Sequence, residues 1–319
     1  MQKILFVIDK LELKYFEFNK LVTNFWIIKE FLDKGNEVYV TTIPNLSLKS
    51  DIALATCYES FVSDGNIFYK NAPVKSVIDD FDLVLFRPDP PVDIDYINAT
   101  YIFDFVKKAK VINSTSAIRS FNEKLHSVYF KEYMSENIVT ASLNEIEEFL
   151  SIQKEIVLKP LNRCFGSGVM YLYDGDPNTR TIINTMTNNE TTLVMVQKYI
   201  PEVKLGDKRV LTLGDEVLPY CIKKLPTGDD FKFNTHNDNF ITSATISEEE
   251  MQNFTNVAKK LNSIGISMAG LDVINGKIIE VNVTSPCYFI KEINKIYGIH
   301  LESIICEYLL TQRLLSLKR

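Results

Sequence analysis

The sequence predicts an α/β (α+β) protein: a parallel α/β domain at the N-terminus, then a two-lobed α+β region. Three observations carry that expectation. Short apolar runs alternate with helical patterns over the first third of the chain. A second set of strands and helices closes at Pro201. A hairpin within "GLDVINGKIIEVNVTSP" (270–286) then mixes core residues with oxygen-bearing side chains.

Taken in order, "KILFVI" (3–8) and "EVYVTT" (37–42) read as strands around a helical stretch near 15–34 that carries Trp26. "LVLF" (83–86), a helix near 94–108 and "KVI" (110–112) complete a first unit over 1–120. Buried apolar strands separated by helices indicate a parallel sheet. The segment 43–80 is polar and reads as loop with a short strand or two. A second unit, 121–201, starts at "FNEKL" (121–125). It has helical patterns at 122–133 and 143–151, strand "EIVLKPL" (155–161), turn plus strand "RCFGSGVMYLY" (163–173), a helix near 179–188 and strand "LVMVQKYI" (193–200). The third unit, 202–319, shows strands at 208–213 and 216–223, a polar loop at 226–244, a helix near 247–263, the hairpin, and two closing helices.

Composition excludes several classes of function. Of the 319 residues 46% are apolar and 24% charged, enough for a sizeable core. A net charge of −6 offers no basic footprint for nucleic acid. No apolar run reaches the roughly 18 residues of a membrane span, and the five-residue run "ILFVI" is too short for a signal-peptide core. Cys57, Cys164, Cys221, Cys287 and Cys306 are scattered, which fits a reducing cytoplasm and argues against a disulfide framework or structural zinc. His126, His236 and His300 are too widely spaced to indicate a metal site.

Strand side chains alternate faces with period 2. In the hairpin, Leu271, Val273, Ile279, Val281 and Val283 are odd-numbered, whereas Asp272, Glu280 and Asn282 are even-numbered. Keeping both apolar sets on one core face requires a loop with an odd number of residues around Asn275-Gly276. The expectation is therefore a three- or five-residue loop with Gly276 left-handed in a G1 bulge, not the two-residue turn that Asn-Gly usually signals. That register gathers the oxygen donors on one face. Two carboxylates and an amide without His or Cys suit Mg²⁺ or Mn²⁺. A solvated outer sheet face with incidental acids is the plain alternative.

Phosphate chemistry also needs cations. Lys159 lies near the end of an apolar strand, where a charge is costly unless used or solvated. Gly166-Ser167-Gly168 could present backbone N–H groups to phosphates, or be an ordinary turn. Lys124 opens a helix, Arg209 heads a strand, and Arg87 in "LFRPDPP" follows a strand at the end where α/β sheets bind ligands. Taken singly, each of these side chains could equally be a surface or salt-bridged one.

In this order and spacing, "RPDPP" with "ATYI", "FNEKL", "VLKP", "GDP", "GDKRVL", "PYCIKKLP" and "GLD…EVNVTSP" resemble the ATP-grasp superfamily, and within it the bacterial glutathione synthetase family, over nearly the whole chain. The resemblance implies an N-terminal domain followed by a two-lobed ATP-grasp fold, with ATP clamped between the lobes. Carried over by position, Lys124 and Lys159 contact ATP phosphates beneath the Gly166-Ser167-Gly168 loop. Gln197, Lys198, Tyr199 and Ile200 form a hinge strand that reads adenine largely through backbone, and Asp207 belongs to the nucleotide site. Arg209 clamps a phosphate or acyl phosphate, Arg87 and Lys224 contact a substrate carboxylate, and Ser285 lies on the substrate side. Asp272, Glu280 and Asn282 hold two Mg²⁺ (or Mn²⁺) ions. The implied reaction joins γ-glutamylcysteine and glycine at the cost of ATP, in a cytoplasmic homo-oligomer, a tetramer by family resemblance.

Three segments depart from that pattern. Arg163, Cys164 and Phe165 occupy part of a covering loop that is richer in glycine in the family. The loop "DDFKFNTHNDNF" has Lys232 where the first substrate-loop arginine is expected, retains Asn234, and replaces a Gly-Gly-Arg by Asp238, Asn239 and Phe240. Lysine lacks arginine's bidentate fork, so this swap alters a carboxylate site. The basic, Ser-rich N-terminal substrate segment is replaced by "ELKYFEFNKLVTN" (12–24). A related carboxylate–amine ligase with another substrate pair, and a non-catalytic nucleotide-binding homologue, remain alternative readings.

Overall fold

The computed structural model describes residues 1–9, 22–163, 166–226 and 241–314. Its strands form three sheets that follow one another along the chain.

The first sheet comprises β1 (Lys3–Val7), β2 (Glu37–Thr41), β3 (Leu46–Lys49), β4 (Ile52–Ser63), β5 (Asn66–Tyr69), β6 (Val74–Val77), β7 (Leu83–Phe86) and β8 (Lys110–Ile112). Its order is β3-β4-β2-β1-β7-β8, with β5 and β6 also paired to β4. β1 runs parallel to β2 and β7, and β7 parallel to β8, as the apolar runs require. The segment 43–80 is not a loop; it holds four strands. β4 escaped the sequence reading because its buried positions are the small Ala53, Ala55 and Cys57, which give a weak apolar alternation. Helix α1 (Thr23–Asp33) buries Phe25, Ile27, Ile28 and Phe31, while Val22 is already extended, and the expected start near 15 lies outside the described residues. Helix α2 (Ile94–Ile102) is capped by Asp93, whose carboxylate accepts the Tyr96 N–H. It ends earlier than 108, passing through a 3₁₀ turn at Phe103–Phe105 into extended Val106. A short α3 (Thr115–Ser120) was not foreseen.

The stretch 122–133 is a kinked 3₁₀ helix, Leu125–Tyr133, rather than an α-helix. Phe130 leaves helical geometry there, and its ring is buried against the third sheet's core. The second sheet, β11-β10-β12-β9, is antiparallel throughout, from β9 (Asn137–Thr140), β10 (Glu155–Pro160), β11 (Met170–Tyr173) and β12 (Val194–Lys198). It closes a core of its own, including Ile146, Leu150, Ile156, Leu158 and Ile183, beneath α4 (Leu143–Gln153) and α5 (Thr179–Met186).

The third sheet contains β13 (Asp207–Leu213), β14 (Glu216–Val217), β15 (Cys221–Lys224), β16 (Ile241–Ala244), β17 (Met268–Ile274) and β18 (Lys277–Asn282), in the order β16-β15-β13-β17-β18 with β14 beside β13. Residues 241–244, read as loop from sequence, form its edge strand. Helix α6 (Glu248–Ser263) starts with a capping box between Ser247 and Glu250 and covers one face. Helices α7 (Ile290–Tyr297) and α8 (Leu301–Thr311) cross to the first sheet. There Ile293, Leu301 and Ile305 share one apolar cluster with Ile4, Phe6, Phe25 and Phe31. Buried Asn113 ties the same two sheets: its amide donates to the carbonyls of Met268 and Val283 at 2.7 and 2.8 Å and accepts from the Ser267 and Met268 N–H groups. Among the described residues no helix is long and apolar enough to cross a membrane.

The hairpin reaches its expected face by a different device. Asn275 and Gly276 both have positive φ (48° and 73°) between Ile274 and Lys277, a two-residue turn of the I′ kind. Pairing then shifts from Val273↔Ile278 to Asp272↔Glu280, leaving Ile279 as the extra residue of a β-bulge. The predicted odd-numbered loop is thus wrong, and so is the placing of Ile279 in the core. Ile278 is fully buried instead, and the bulge restores parity before the acids. Replacing Ile278 by Asp should cost more than about 4 kcal/mol, because an unpaired charge enters the core. Ile279→Thr should cost under about 1 kcal/mol, as a partly exposed position allows. Urea unfolding of both variants measures the difference, and equal costs would contradict the bulge.

Candidate active site

Asp207 and Arg209 stand on β13, Lys224 on β15, Asp272 on β17, and Glu280 and Asn282 on β18. Arg209 is the cross-strand partner of Asp272, and Asp272 is the partner of Glu280. β-Pairing alone therefore brings "GDKRVL", "PYCIKKLP" and "GLD…EVN" into one row.

Asp207, Arg209, Lys224 and Asp272 are buried, Glu280 and Asn282 half-buried, and the row is closely paired. Arg209 meets Asp272 with two parallel N–H bonds, Nε to Oδ1 at 2.9 Å and Nη2 to Oδ2 at 3.2 Å. Lys224 Nζ bridges Asp207 Oδ2 (2.9 Å) and Asp272 Oδ1 (3.2 Å). Asn282 Nδ2 adds a bond to Asp272 Oδ2 at 3.0 Å. Burial pushes the Asp272 carboxyl up, but Arg209 and Lys224 outweigh it and hold the group down at about 2. Asp207 goes the other way: burial dominates and raises it to about 6, with Lys224 only partly compensating. Asp272 is only 7% exposed, which removes the alternative of a solvated outer face.

Gly270 makes room for this arrangement. A Cβ there would lie 2.7 Å from Arg209 Nη1. On its other side the Arg209 guanidinium lies 5.7 Å from the Phe289 ring centroid. Phe289 itself holds a left-handed conformation (φ 49°), which for an aromatic residue marks local strain.

β10 of the second sheet and the segment before the 3₁₀ helix supply the opposing cations. Lys159, buried on β10, donates to Gln197 Oε1 (2.8 Å) and to the Ile279 carbonyl (3.2 Å) that the bulge presents. Burial lowers its pKa to about 8, against the pull of Glu280. Lys124 precedes the 3₁₀ helix; its Nζ pairs with Glu280 Oε1 at 2.9 Å and donates to the Arg163 carbonyl at 2.6 Å. Gly166, Ser167 and Gly168 form a tight turn closed by the Val169 N–H to the Gly166 carbonyl (3.2 Å), with both glycines at positive φ. At the end of β12, the N–H groups of Lys198 and Tyr199 are committed to the carbonyls of Glu136 and Glu155, the Lys198 side chain lies at the surface near Glu136, and Ile200 follows the strand. Gln197 Nε2 and Asp207 Oδ1 are buried without a hydrogen-bond partner among the described residues.

Arg87 belongs to this neighbourhood but not to the acid row. It follows β7, is buried, and donates to Asn24 Oδ1 (2.6 Å) and to the Pro286 carbonyl (2.9 Å), next to partly buried Ser285. Lys232 and Asn234 lie outside the described residues, as do Cys164 and most of 12–24. Sequence reasoning missed Glu123, whose Oε1 accepts from Val283 N (2.6 Å), Thr284 N (2.9 Å) and Thr284 Oγ1 (3.0 Å) and so fixes the end of "NVTSP". An acid beside a lysine in a polar loop carries no such signal. Gly270 did carry one, since glycine inside a strand often marks close approach by a neighbour.

The donor set fits a hard cation. Two carboxylates directly across a strand pair, with an amide beside them, match the usual Mg²⁺ arrangement of one or two carboxylates completed by substrate phosphates. Among the described residues no group of three or more His, Cys, Asp or Glu stands together as a self-sufficient metal site. As the structure stands, lysines and arginine neutralise the acids.

The Asp272 pairing has a consequence for stability. A carboxyl held at about 2 contributes stability at pH values above its unfolded value of about 3.9, and that contribution is lost as pH falls towards 2. Asp272→Asn should lower stability at pH 7 by roughly 3–5 kcal/mol, since buried cations lose their partner. It should also flatten the acid limb between pH 4 and 2. Denaturation curves across that range check both effects.

Residues 2–119 match the family described as prokaryotic glutathione synthetase, N-terminal domain, and residues 123–298 match prokaryotic glutathione synthetase, ATP-grasp domain. A glutathione synthetase of Neisseria meningitidis serogroup B is 32% identical over 315 residues, covering 96% of this chain and 98% of that protein. One of Bordetella parapertussis is 36% identical over 213 residues, 66% and 67% of the two chains. Among solved structures, a D-cycloserine synthetase superposes with a TM-score of 0.67 at 12% identity, covering 96% of this chain and 99% of that one. A Chryseobacterium gregarium RiPP-associated ATP-grasp ligase gives 0.64 at 16%, with 98% of both covered, and these likenesses concern the fold. The chain belongs to the prokaryotic glutathione synthetase family, a family of ATP-dependent ligases.

Proposed function

We propose that this enzyme joins γ-glutamylcysteine to glycine, making glutathione from ATP through an acyl phosphate. The observation that carries this reading is the row of buried Asp272 and half-buried Glu280 and Asn282, faced by Lys124, Lys159, Arg209 and Lys224. The cysteinyl carboxylate attacks the γ-phosphorus of ATP and ADP leaves. Glycine's amine then attacks the acyl carbon, loses a proton and releases phosphate as the amide forms.

Residue roles follow from position. Lys124 and Lys159 line the face between the second and third sheets, where they neutralise phosphate oxygens, and the Gly166-Ser167-Gly168 turn is assigned to the phosphates by the family resemblance. Gln197 to Ile200 form the edge against which the base is read. The unpartnered Gln197 Nε2 and Asp207 Oδ1 are polar atoms positioned for a ligand there. Arg209, already fork-shaped toward a carboxylate, offsets charge on the transferring phosphoryl. Arg87, Lys224 and Ser285 sit on the carboxylate-substrate side, and Lys232 and Asn234 are assigned there by sequence alone. Asp272, Glu280 and Asn282 would hold two Mg²⁺ or Mn²⁺ ions, which supply Lewis-acid stabilisation of the phosphate charge. The three sheets support division into domains at 1–120, 121–201 and 202–319. The assignment to the cytoplasm and to a homo-tetramer rests on the family resemblance.

A coupled ADP-release assay, omitting ATP, γ-glutamylcysteine and glycine in turn, tests the reading. Release should require all three, and release independent of the peptide would overturn it. Glu280→Gln should keep the fold and cut turnover by more than roughly 100-fold, because it weakens a hard-cation ligand. Near-normal activity with an unchanged melting temperature would sink the metal assignment. Lys159 adds a pH dependence. With its pKa lowered to about 8, the free enzyme loses this charge as pH rises through that value, so ATP affinity should fall between pH 7 and 9. Lys159→Arg stays charged and should flatten the profile, as titration calorimetry would record.

A further inference from the structure

β18 carries two of the three candidate metal ligands, and among the described residues it is the last strand of its sheet. Its pairing with β17 sets Glu280 opposite Asp272 and Asn282 opposite Gly270. In an antiparallel strand, alternate residues direct their backbone groups to one neighbour and the rest to the other side. Val281 and Val283 therefore turn theirs to the side away from β17. An edge left open there would fix the strand from one side only.

A single residue takes up that side. The Glu123 carbonyl accepts from the Val281 N–H at 3.1 Å. The Glu123 carboxylate Oε1 accepts from the N–H groups of Val283 (2.6 Å) and Thr284 (2.9 Å) and from Thr284 Oγ1 (3.0 Å). Asn282 thus stands between two residues whose backbones are both fixed to Glu123, and Glu280 precedes the first of them. Val283 and Thr284 are buried, so solvent does not take the carboxylate's place.

The segment that presents Glu123 has anchors of its own. Asn122 Oδ1 accepts from the N–H groups of Lys124 (3.1 Å) and Leu125 (2.9 Å), and its amide donates to the Leu161 carbonyl (2.9 Å), just after β10. Lys124 Nζ reaches the Arg163 carbonyl at 2.6 Å. The stretch 122–124 is held to the second sheet without the Glu123 side chain, and that side chain holds the end of β18 to the stretch.

We propose that Glu123 is a positioning residue for the metal site: by its reach it fixes the backbone of β18, so that Glu280 and Asn282 keep the spacing that the cations need. The assignment rests on the metal reading above. Three donors fill Oε1, so Glu123 acts through β18 and not on a cation. Mg²⁺ requires near-ideal octahedral geometry, which makes a small tilt of two donors costly. Partners that orient metal ligands typically matter by about 10- to 100-fold in metal affinity or activity. Reach and charge make different demands here. An amide oxygen of the same reach accepts the same three donors, whereas a carboxylate one methylene shorter does not span to Val283 and Thr284 from the same backbone.

Titration calorimetry with the non-hydrolysable ATP analogue AMPPNP, in excess Mg²⁺ and again in EDTA, measures how far the metal tightens nucleotide binding, without turnover. In the native enzyme the gain should be about 10-fold or more. Glu123→Asp should lose most of that gain and keep its affinity in EDTA within about twofold, because Lys124 retains its own anchors. Glu123→Gln should keep most of the gain. In the ADP-release assay, kcat of Glu123→Asp should fall while the KM values for γ-glutamylcysteine and glycine hold. A full gain in Glu123→Asp overturns the proposal. So does the reverse order, with Glu123→Gln losing what Glu123→Asp keeps, since charge and not reach would then be at work. An equal loss of affinity in Mg²⁺ and in EDTA overturns it too, because that marks a general loosening. If Glu123→Asp does not fold, Glu123→Gln decides alone, and loss of its gain overturns the proposal. A native enzyme that gains nothing from Mg²⁺ removes the metal site itself, and this role with it.

Discussion

A charge removed from water must be matched within the protein, and the Asp272 carboxylate is where this molecule meets that requirement. Deep burial alone would favour its neutral form. Arg209, Lys224 and Asn282 reverse that balance, and each arrives from a different strand. The geometry leaves little freedom. Gly270 must lack a side chain, the bulge at Ile279 must restore parity, and Lys224 must be shared with Asp207. Paired buried charges of this kind add little net stability compared with an apolar core, but losing one partner is expensive. Such a network is therefore better understood as a fixed set of positions for reacting charge than as a source of stability.

That view separates the sheets by role. In the third sheet the acids and cations are set by strand register, and its end is held by Glu123 and Asn113. The second sheet has its own apolar core, and polar bonds such as Lys159 to the Ile279 carbonyl, Lys124 to the Arg163 carbonyl and Asn122 to the Leu161 carbonyl join it to the rest. Polar contacts exchange with solvent or ligand more readily than a shared apolar core does. In the proposed reaction, a nucleotide bound between the sheets would meet lysines able to trade a carboxylate or carbonyl for a phosphate.

Much of this was legible in the sequence where local pattern and tertiary demand agree. "LVLF" and "KVI" became strands at their expected bounds, because continuous apolar runs in a parallel sheet have no other stable placement. The even-numbered acids were rightly placed on one face, since parity follows from the strand itself. The route there was not legible: parity can be kept by loop length or by a bulge, and Asn-Gly kept its usual short turn. β4 was hidden by its small buried residues, and the 3₁₀ stretch at Leu125–Tyr133 by a tertiary pull on Phe130. Roles that depend on what lies opposite, as for Glu123, have no local signature at all.

The apolar cluster shared by the first sheet and the two last helices bears on how the chain is made. Ile4, Phe6 and Phe25 are packed against Ile293, Leu301 and Ile305. On a ribosome the first group emerges long before the second. A domain that could fold by itself would do so as it emerged, but here one face of the first sheet and α1 stays uncovered until residues 290–311 have been synthesised. Through that interval the nascent chain presents an apolar face to solvent, and its protection falls to chaperones or to the rate of translation. The same residues that join these two distant segments thus set the period during which the chain is most exposed to aggregation.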